Sequence, residues 1–462
     1  MQKKNLYTAL SAALCFLASI TAQAQPHTIS LPAANIVAQS QYVQSVTNGT
    51  TGVLLLGGSV YVANAGGPYP AKPTSSLPAL PLTVLNVQAI SIGPVNLLNT
   101  VYDVVPEVTR KRIFSAGVSG GGTITSNYKI NTNVINWQAG TYEGKLDYTA
   151  DGLGNSVTPP QQTFTITVPE FISTLNPAIP VTTINVNNFS FYTSGISASS
   201  QVSYHTTVPT TLKLKATLPT LNYTSVPSGM ANPNTAVGKI TTALTGVVTG
   251  PQLPLSSTDA TISPAAGLLV TSYTANNNLP EPTFSISAAD LKTSFLKAGN
   301  YEADLTYTIG PLTGVTPAAI TKTGLLRVTV ASLAAFSVPP AAVSLAFNTS
   351  SNYKLGVSKN VPAQLTVSST LPYNVTVRAN TSTFVNGTNN LPLNLMTISG
   401  VNPADNITPL NLSTNPQNLI SGASPVIART YDLKYTVAPN SNLLSHAAGT
   451  YATTIVFTYV AP

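Results

Sequence analysis

One short run of residues has the spacing of a catalytic serine. Gly117–Gly121 fits the G-x-S-x-G pattern, in which Ser119 would stand on a sharp turn between a strand and a helix, as in hydrolases. A triad also needs a histidine later in the same domain, and His205 and His446 lie in other parts of the chain. Residues 123–130 alternate as a strand does, where a helix would be required. We therefore expect a glycine-rich hairpin or bulge at this place and no nucleophile.

A second candidate is a pair of carboxylates. Glu302 and Asp304 would lie about 6 to 7 Å apart on one face of a strand, a separation that a glycosidase could use. Such a pair needs a cleft that raises the pKa of one carboxyl group, whereas outward positions of a sandwich strand are solvated. Glu143, Lys145 and Asp147 occupy the matching positions of another strand. We interpret both sets as solvent-facing polar residues.

Metal ligands are too scattered to form a site. The three histidines, His27, His205 and His446, are far apart in the sequence, so no single domain can assemble a zinc site from them. Asp151–Asn155 and Asn402–Asn406 hold too few oxygen ligands for calcium and suit ordinary turns. We expect no metal, no cofactor and no enzymatic activity.

Aromatic residues allow a binding function. The chain has 20 tyrosines and one tryptophan, and rings exposed on loops can stack on sugar rings. Tyrosines that alternate with polar residues inside strands are expected in the core. The candidates for glycan contact are the tyrosines near predicted loops, namely Tyr61, Tyr69, Tyr192 and Tyr223.

The elements that carry these residues follow a repeat. An Ala-Gly-(Thr/Asn)-Tyr marker occurs three times, at Ala139–Tyr142, Ala298–Tyr301 and Ala448–Tyr451, with about 150 residues, one domain length, between copies. After each marker the apolar residues return at every second position, as in a strand with one buried face. The sequence therefore predicts three homologous β units with Tyr142, Tyr301 and Tyr451 as core markers.

A second block supports the repeat. Val202–Ala216 aligns without a gap on Leu365–Ala379, and both read as strand, proline-marked turn and strand. In the first unit only the second half is recognised, at Leu85–Ala89, after a proline- and glycine-rich insertion at Gly66–Pro81. The alignment supports the interpretation that the three units are homologous.

Little helix is expected. Proline occupies 36 of the 462 positions, with Gly, Ser, Thr and Asn between short apolar runs, which argues against long helices. One short helix is predicted, capped by Ser287, with Asp290 in its first turn, Leu291 and Phe295 on one face, and Gly299 after its end. The fold class is all-β, as three tandem immunoglobulin-like β-sandwiches. Their boundaries are residues 25–169, 170–332 and 333–462.

The third unit ends differently from the others. After the marker strand the first two units continue into one more alternating strand, Phe164–Val168 and Leu326–Val330, whereas the third stops at Pro462. We therefore expect the third unit to be one strand short. Either its sheet closes without that strand, which is the simpler alternative, or an open edge accepts a strand from a partner.

Two resemblances bear on this ending. A tyrosine that opens the penultimate strand is similar to the tyrosine corner of immunoglobulin-like sandwiches, where the hydroxyl ties a loop to the backbone. Ala448–Tyr459 also resembles the C-terminal strand of bacterial fimbrial subunits and spore-coat-U-like surface proteins. This resemblance implies a sandwich that accepts a neighbour's strand, with Tyr451, Phe457 and Tyr459 along the accepting edge. The absence of a disulfide and the three-unit length depart from ordinary fimbrial subunits.

The N-terminus has the pattern of a secretory signal. Lys3 and Lys4 precede an apolar run, Leu6–Ile20, and Ala22–Ala24 gives the small-x-small cleavage pattern, so residues 1–24 are predicted to be removed. The only cysteine, Cys15, lies inside this segment. No later stretch is long enough to span a bilayer. We expect an exported protein, extracellular or at the cell surface, with the periplasm as an alternative.

Composition narrows the class of partner. Charged residues make up 7% of the chain, against about 25% in an ordinary domain, and the net charge of +7 is dispersed, which disfavours nucleic acid. The leading hypothesis is a non-catalytic surface or extracellular protein with a structural or adhesive role, whose partners are other surface proteins or glycans. The alternatives are a secreted carbohydrate-binding protein and a fimbrial-type subunit that self-assembles by strand exchange, with residues 25–39 as a candidate donor segment.

Overall fold

The computed structural model of the chain consists of strands joined by short turns. It describes residues 26–461, except for 52–57, 94, 97–104, 106, 116–120, 153–155, 175–178, 180, 247 and 271–278. The predicted signal segment, Cys15 and Ser119 lie outside the described residues. Buried apolar side chains form three separate clusters, which define a first segment (27–171), a second segment (172–330) and a third segment (334–460). The predicted all-β class is confirmed.

The first segment forms two facing sets of strands. Its elements are β1 (His27–Ser30), α1 (Ala33–Ala38), β2 (Tyr42–Thr51), β3 (Ser59–Asn64), β4 (Ala71–Lys72), β5 (Leu85–Ile92), β6 (Val95–Asn96), β7 (Lys111–Ser115), β8 (Gly122–Ile130), β9 (Gly140–Asp151), β10 (Val157–Thr158) and β11 (Gln161–Val168). One sheet has the order β1-β11-β9-β3-β7, with β4 beside β9, and the other has the order β10-β2-β8-β5-β6. The pair β1 and β11 is parallel.

The second segment repeats this order. Its elements are β12 (Ile172–Thr174), β13 (Thr182–Val186), α2 (Phe191–Ser194), β14 (Ile196–Ser199), β15 (Tyr204–Thr206), β16 (Thr210–Ala216), β17 (Asn222–Ser225), β18 (Thr241–Thr245), β19 (Leu253–Pro254), β20 (Ala260–Thr261), β21 (Glu281–Ile286), α3 (Ala288–Ser294), β22 (Gly299–Pro311) and β23 (Ile320–Val330). The sheets are β13-β23-β22-β16-β20, with β17 beside β22, and β14-β21-β18-β19, while β12 pairs with β15. The pair β13 and β23 is again parallel.

The third segment has the same parts in a smaller set. Its elements are β24 (Ala334–Ser337), α4 (Ser350–Leu355), β25 (Val357–Ser369), β26 (Tyr373–Ala379), β27 (Thr383–Asn386), β28 (Asn389–Pro392), β29 (Met396–Gly400), β30 (Leu410–Asn411), β31 (Gln417–Ala423), β32 (Val426–Val437) and β33 (Ile455–Val460). The sheets are β24-β25-β32-β29-β30 and β31-β26-β33, and β27 pairs with β28.

Each marker forms the same turn into its strand. The marker glycines have φ between 146° and 151°, a conformation that side-chain-bearing residues rarely adopt. The tyrosine hydroxyls of Tyr142, Tyr301 and Tyr451 donate to the carbonyl oxygen four residues earlier, at 3.0, 2.9 and 2.8 Å. These are the hydroxyl-to-backbone bonds that the tyrosine-corner resemblance implies. The marker is therefore a structural motif, since glycine permits the turn and tyrosine ties it.

The alternation of the marker strands reflects burial. In β9, Tyr142, Leu146 and Tyr148 are buried, while Lys145 points to solvent. In β22 the matching residues Tyr301, Leu305 and Tyr307 are buried as well. Because successive side chains of a strand point to opposite faces, the period of two in the sequence becomes one apolar wall of each core.

Two expectations about elements were wrong. The counterpart of β16 and β26 in the first segment is β3, which pairs with β9, whereas Leu85–Ala89 lies in β5 and pairs with β8. Alternation shows that a strand has a buried face but not which sheet it joins. The part of the chain that the structure describes also has three short α-helices besides the predicted one. They escaped prediction because helices of four to six residues are too short to show a period.

Candidate functional site

The strand that follows the third marker is paired on one side only. β33 runs antiparallel to β26, from Asn374 opposite Val460 to Ala379 opposite Ile455. Among the described residues, no strand lies on its other side. Its backbone donors and acceptors on that side therefore face outward, as at any sheet edge.

The corresponding strands of the first two segments are covered on both sides. β9 lies between β3 and β11, and β22 lies between β16 and β23. β11 and β23 are in turn bordered by the parallel strands β1 and β13. The third sheet thus matches the other two from β31 to β33 and lacks the two strands beyond.

Part of the third core is less well covered than the matching part of the other two. Tyr451, Ile455 and Phe457 pack against the third cluster but remain partly exposed, whereas the matching residues of β9 and β22 are buried. Tyr459 also packs against this cluster and is partly exposed. Apolar side chains along an unpaired edge form a surface that a further strand could cover.

The inner wall beneath this edge is aromatic and hydrogen-bonded. The Tyr459 ring stacks on Tyr373 at 5.8 Å between centroids, and its hydroxyl lies 2.9 Å from the Ser369 hydroxyl. The Tyr373 hydroxyl lies 2.6 Å from that of Tyr431, and burial raises the pKa of Tyr373. These ties hold the wall in place, so the edge is preformed.

One segment of the third core corresponds in chain order to β1 and β13. Val343 and Leu345 pack against the third cluster without belonging to a strand. They precede α4 as β1 precedes α1 and β13 precedes α2. In those two segments the parallel partner is the last strand, β11 or β23. Sequence reasoning missed this segment, although the spacing from Val343 to the helix that follows it could have indicated it.

The candidate donor segment, residues 25–39, is not free. β1 pairs with β11 inside the first segment, from His27 opposite Phe164 to Ser30 opposite Thr167. α1 follows it directly and buries Ile36. The described residues of this segment are therefore already used inside the first segment.

The glycan-contact hypothesis is wrong for two of the four tyrosines. Tyr69 and Tyr192 are buried, at 1% and 0% exposure. The Tyr69 ring packs edge-on against Phe164, and the Tyr192 hydroxyl donates to the Phe295 carbonyl oxygen at 3.1 Å. Proximity to a loop in the sequence did not mean exposure, because these loops fold back over the core.

The other two tyrosines are partly exposed but have neighbours on their rings. The Arg110 guanidinium lies 4.3 Å from the centre of the Tyr61 ring. The Tyr223 ring lies 4.8 Å from that of Tyr301, and its hydroxyl donates to the Ala298 carbonyl oxygen. Each ring is thus already in contact with one neighbouring side chain.

The carboxylate pair does not lie in a cleft. The Arg327 Nε donates to Glu302 at 2.6 Å, directly across the sheet, and Asp304 is exposed on the same strand. Gly122–Ile130 is a strand, so the helix that a nucleophile elbow needs behind Ser119 is not formed there. Within the described residues no group of three or more His, Cys, Asp or Glu side chains could hold a metal ion. In that same part of the chain, no helix is long and apolar enough to cross a membrane.

Comparison with known proteins gives structural likeness only. No family model and no curated protein matches the chain. CfaE, the adhesive subunit of CFA/I fimbria of enterotoxigenic Escherichia coli, is 12% identical, with 67% of this chain and all of that chain covered and a TM-score of 0.31. The chaperone and tip adhesion subunit complex CsuC-CsuE of Acinetobacter baumannii Csu pili is 13% identical, covers 63% of this chain and 99% of that chain, and has a TM-score of 0.29. The CupB6 tip adhesin of Pseudomonas aeruginosa is 10% identical, covers 63% and 89%, and has a TM-score of 0.25.

These structures are of fimbrial and pilus adhesins, the class whose final strand the end of this sequence resembles. The TM-scores are low, so the likeness by itself assigns neither a domain count nor a function to this chain.

Proposed function

We propose that this chain is an exported, non-catalytic surface protein of three immunoglobulin-like sandwiches, residues 25–169, 170–332 and 333–462, with an adhesive or fibre-forming role. Its third sandwich is completed by a strand from another polypeptide. The observation that carries the proposal is the sheet order β31-β26-β33, which lacks the strands found beyond β9 and β22.

The first two segments indicate the chemistry of the missing strand. β11 buries Phe164, Ile166 and Val168 in its core, and β23 buries Leu326 and Val328. Both strands run antiparallel to their marker strand. The partner therefore supplies an extended segment of alternating apolar residues, antiparallel to β33, with Tyr451, Phe457 and Tyr459 along the accepting edge. Main-chain bonds give such a contact its affinity and side-chain pockets give it specificity.

A peptide with the sequence of β23, Ile320–Val330, is the probe for this edge. Added to the mature protein, it should bind and raise the melting temperature, because a ligand that binds only the folded state stabilises it. A peptide carrying Val328→Asp places a charge on the buried face and should not bind. A peptide carrying Thr329→Asp has the same charge change on the opposite face and should still bind.

Calorimetric titration and thermal denaturation would measure the three peptides side by side. Failure of the unmodified peptide to bind, or equal binding of the two aspartate peptides, would contradict strand acceptance at β33.

A further inference from the structure

Two buried threonines hold equivalent places in the second and third segments. The gapless alignment of Val202–Ala216 with Leu365–Ala379 sets Thr207 on Thr370. Their exposures are 2% and 0%. Each lies in the turn between two strands, at the end of its segment that faces the preceding one.

Thr207 binds the first segment through both its side chain and its backbone. Its hydroxyl donates to the Pro169 carbonyl oxygen at 2.7 Å and accepts the Phe171 N–H at 3.1 Å. Its backbone N–H donates to the Phe171 carbonyl oxygen at 3.2 Å. Its carbonyl oxygen accepts the N–H of Ala139, the first residue of the first marker, at 2.8 Å.

Thr370 makes the same four bonds one segment later. Its hydroxyl donates to the Ala331 carbonyl oxygen at 2.8 Å and accepts the Leu333 N–H at 2.8 Å. Its N–H donates to the Leu333 carbonyl oxygen at 3.0 Å. Its carbonyl oxygen accepts the N–H of Ala298, the first residue of the second marker, at 2.9 Å.

The two sets tie together the same three parts of the chain. Pro169–Phe171 and Ala331–Leu333 are the connectors that leave the last strand of the preceding segment, and the marker alanines open its marker strand. The threonine hydroxyl uses its one donor and also accepts, so both of its functions are satisfied by the connector. Since these groups are buried, breaking a bond leaves a polar atom without water or partner.

We propose that Thr207 and Thr370 are locks that fix the orientation of successive segments, so that the three segments move as one rod. The lock holds the connector and the marker turn at once, which removes the rotation that a connector of three residues would otherwise allow. This inference is independent of strand acceptance by β33.

Distances between spin labels on neighbouring segments test the lock. The only cysteine of the full sequence is Cys15, in the predicted signal, so a mature protein starting at Gln25 carries only the introduced labels. Lys145→Cys with Lys213→Cys spans the first junction, and Lys213→Cys with Ser358→Cys spans the second. All three side chains are exposed.

We expect one narrow distance distribution for each pair in the otherwise unchanged protein. Thr207→Val keeps the shape of the side chain and removes the hydroxyl, and it should abolish the narrow peak at the first junction only. Thr370→Val should do so at the second junction only. Thr207→Ser and Thr370→Ser keep the hydroxyl and should retain the narrow peak.

Three results would overturn the proposal. They are a broad distribution already present with both threonines intact, a narrow peak that persists in the valine variants, and broadening at both junctions from one substitution. The first of these does not depend on the folding of any threonine variant.

Discussion

The buried hydroxyl of Tyr301 donates to the Lys297 carbonyl oxygen, and that of Tyr192 donates to the Phe295 carbonyl oxygen. The Trp137 Nε1–H likewise donates to the Thr132 carbonyl oxygen, at 2.9 Å. At the residue scale, polar side chains of this protein thus donate hydrogen bonds to backbone carbonyl oxygens near the cores. This use of hydroxyls and ring N–H groups accounts for a fold with few charges, since each tie needs no counter-ion.

The buried residue His205 should make the stability of the protein depend on pH. It lies in β15 opposite Ser173 of β12, is 8% exposed, and burial lowers its pKa from the usual 6.5. The unfolded chain therefore takes up a proton at a higher pH than the folded chain. The free energy of unfolding should fall as the pH drops below about 6.5, since protonation then favours the unfolded state.

Melting temperatures between about pH 5 and about pH 7.5 would measure this effect. His205→Gln should flatten the dependence, while the exposed control His446→Gln should leave it as it is. If the melting temperature of His205→Gln fell with pH as steeply as that of the unchanged protein, a group other than His205 would cause the pH dependence.

Among the elements, α3 shows how local chemistry determines a short helix. The Ser287 hydroxyl accepts the Asp290 N–H at 3.0 Å, and Leu291 is buried on the inner face. Ser287→Ala should lower the free energy of unfolding by about 1 kcal/mol, because the first-turn donor loses its partner. Ser190 stands at the same position before α2 without a side-chain cap, so Ser190→Ala is the matched control. Equal losses in urea unfolding of the two variants would contradict the capping account.

The sequence predicts some elements well and others poorly. Ser287, Asp290 and Leu291 identified α3 because cap and buried face agree. α4 has a comparable cap, the capping box of Thr349 and Asn352, but none of its residues is buried, so its sequence lacks the second signal. The marker strands were predictable from alternation. That β3, and not β5, pairs with the first marker strand was not predictable, since tertiary packing decides which strands pair.

For the candidate site, the sequence indicates the short third unit but not the open edge. The number of strands after each marker can be counted, and Tyr451, Phe457 and Tyr459 follow from their alternation. Whether a short sheet closes depends on how its strands are ordered, and only the structure gives the order β31-β26-β33. The burial of Tyr69 and Tyr192 was equally hidden, because it arises from loops that fold over the core.

On the scale of the whole molecule, three cores have a similar strand order, and among the described residues the third alone has no strand beyond its marker strand. The low content of charge leaves threonine, serine and asparagine to cover the sheets, as in the pair of Thr245 and Thr283 hydroxyls at 2.6 Å across two strands. Such a surface offers no strong field to attract charged ligands. Recognition by main-chain bonds at a sheet edge does not need one.

Hydrogen exchange of the three marker strands, measured by mass spectrometry, tests the open edge most directly. In the mature protein alone, β33 should exchange faster than β9 and β22, because half of its amides lack a neighbouring strand. Addition of the β23 peptide should slow β33 and leave β9 and β22 unchanged. Equally slow exchange of all three strands without any peptide would show that the third sheet is already complete, which contradicts the account.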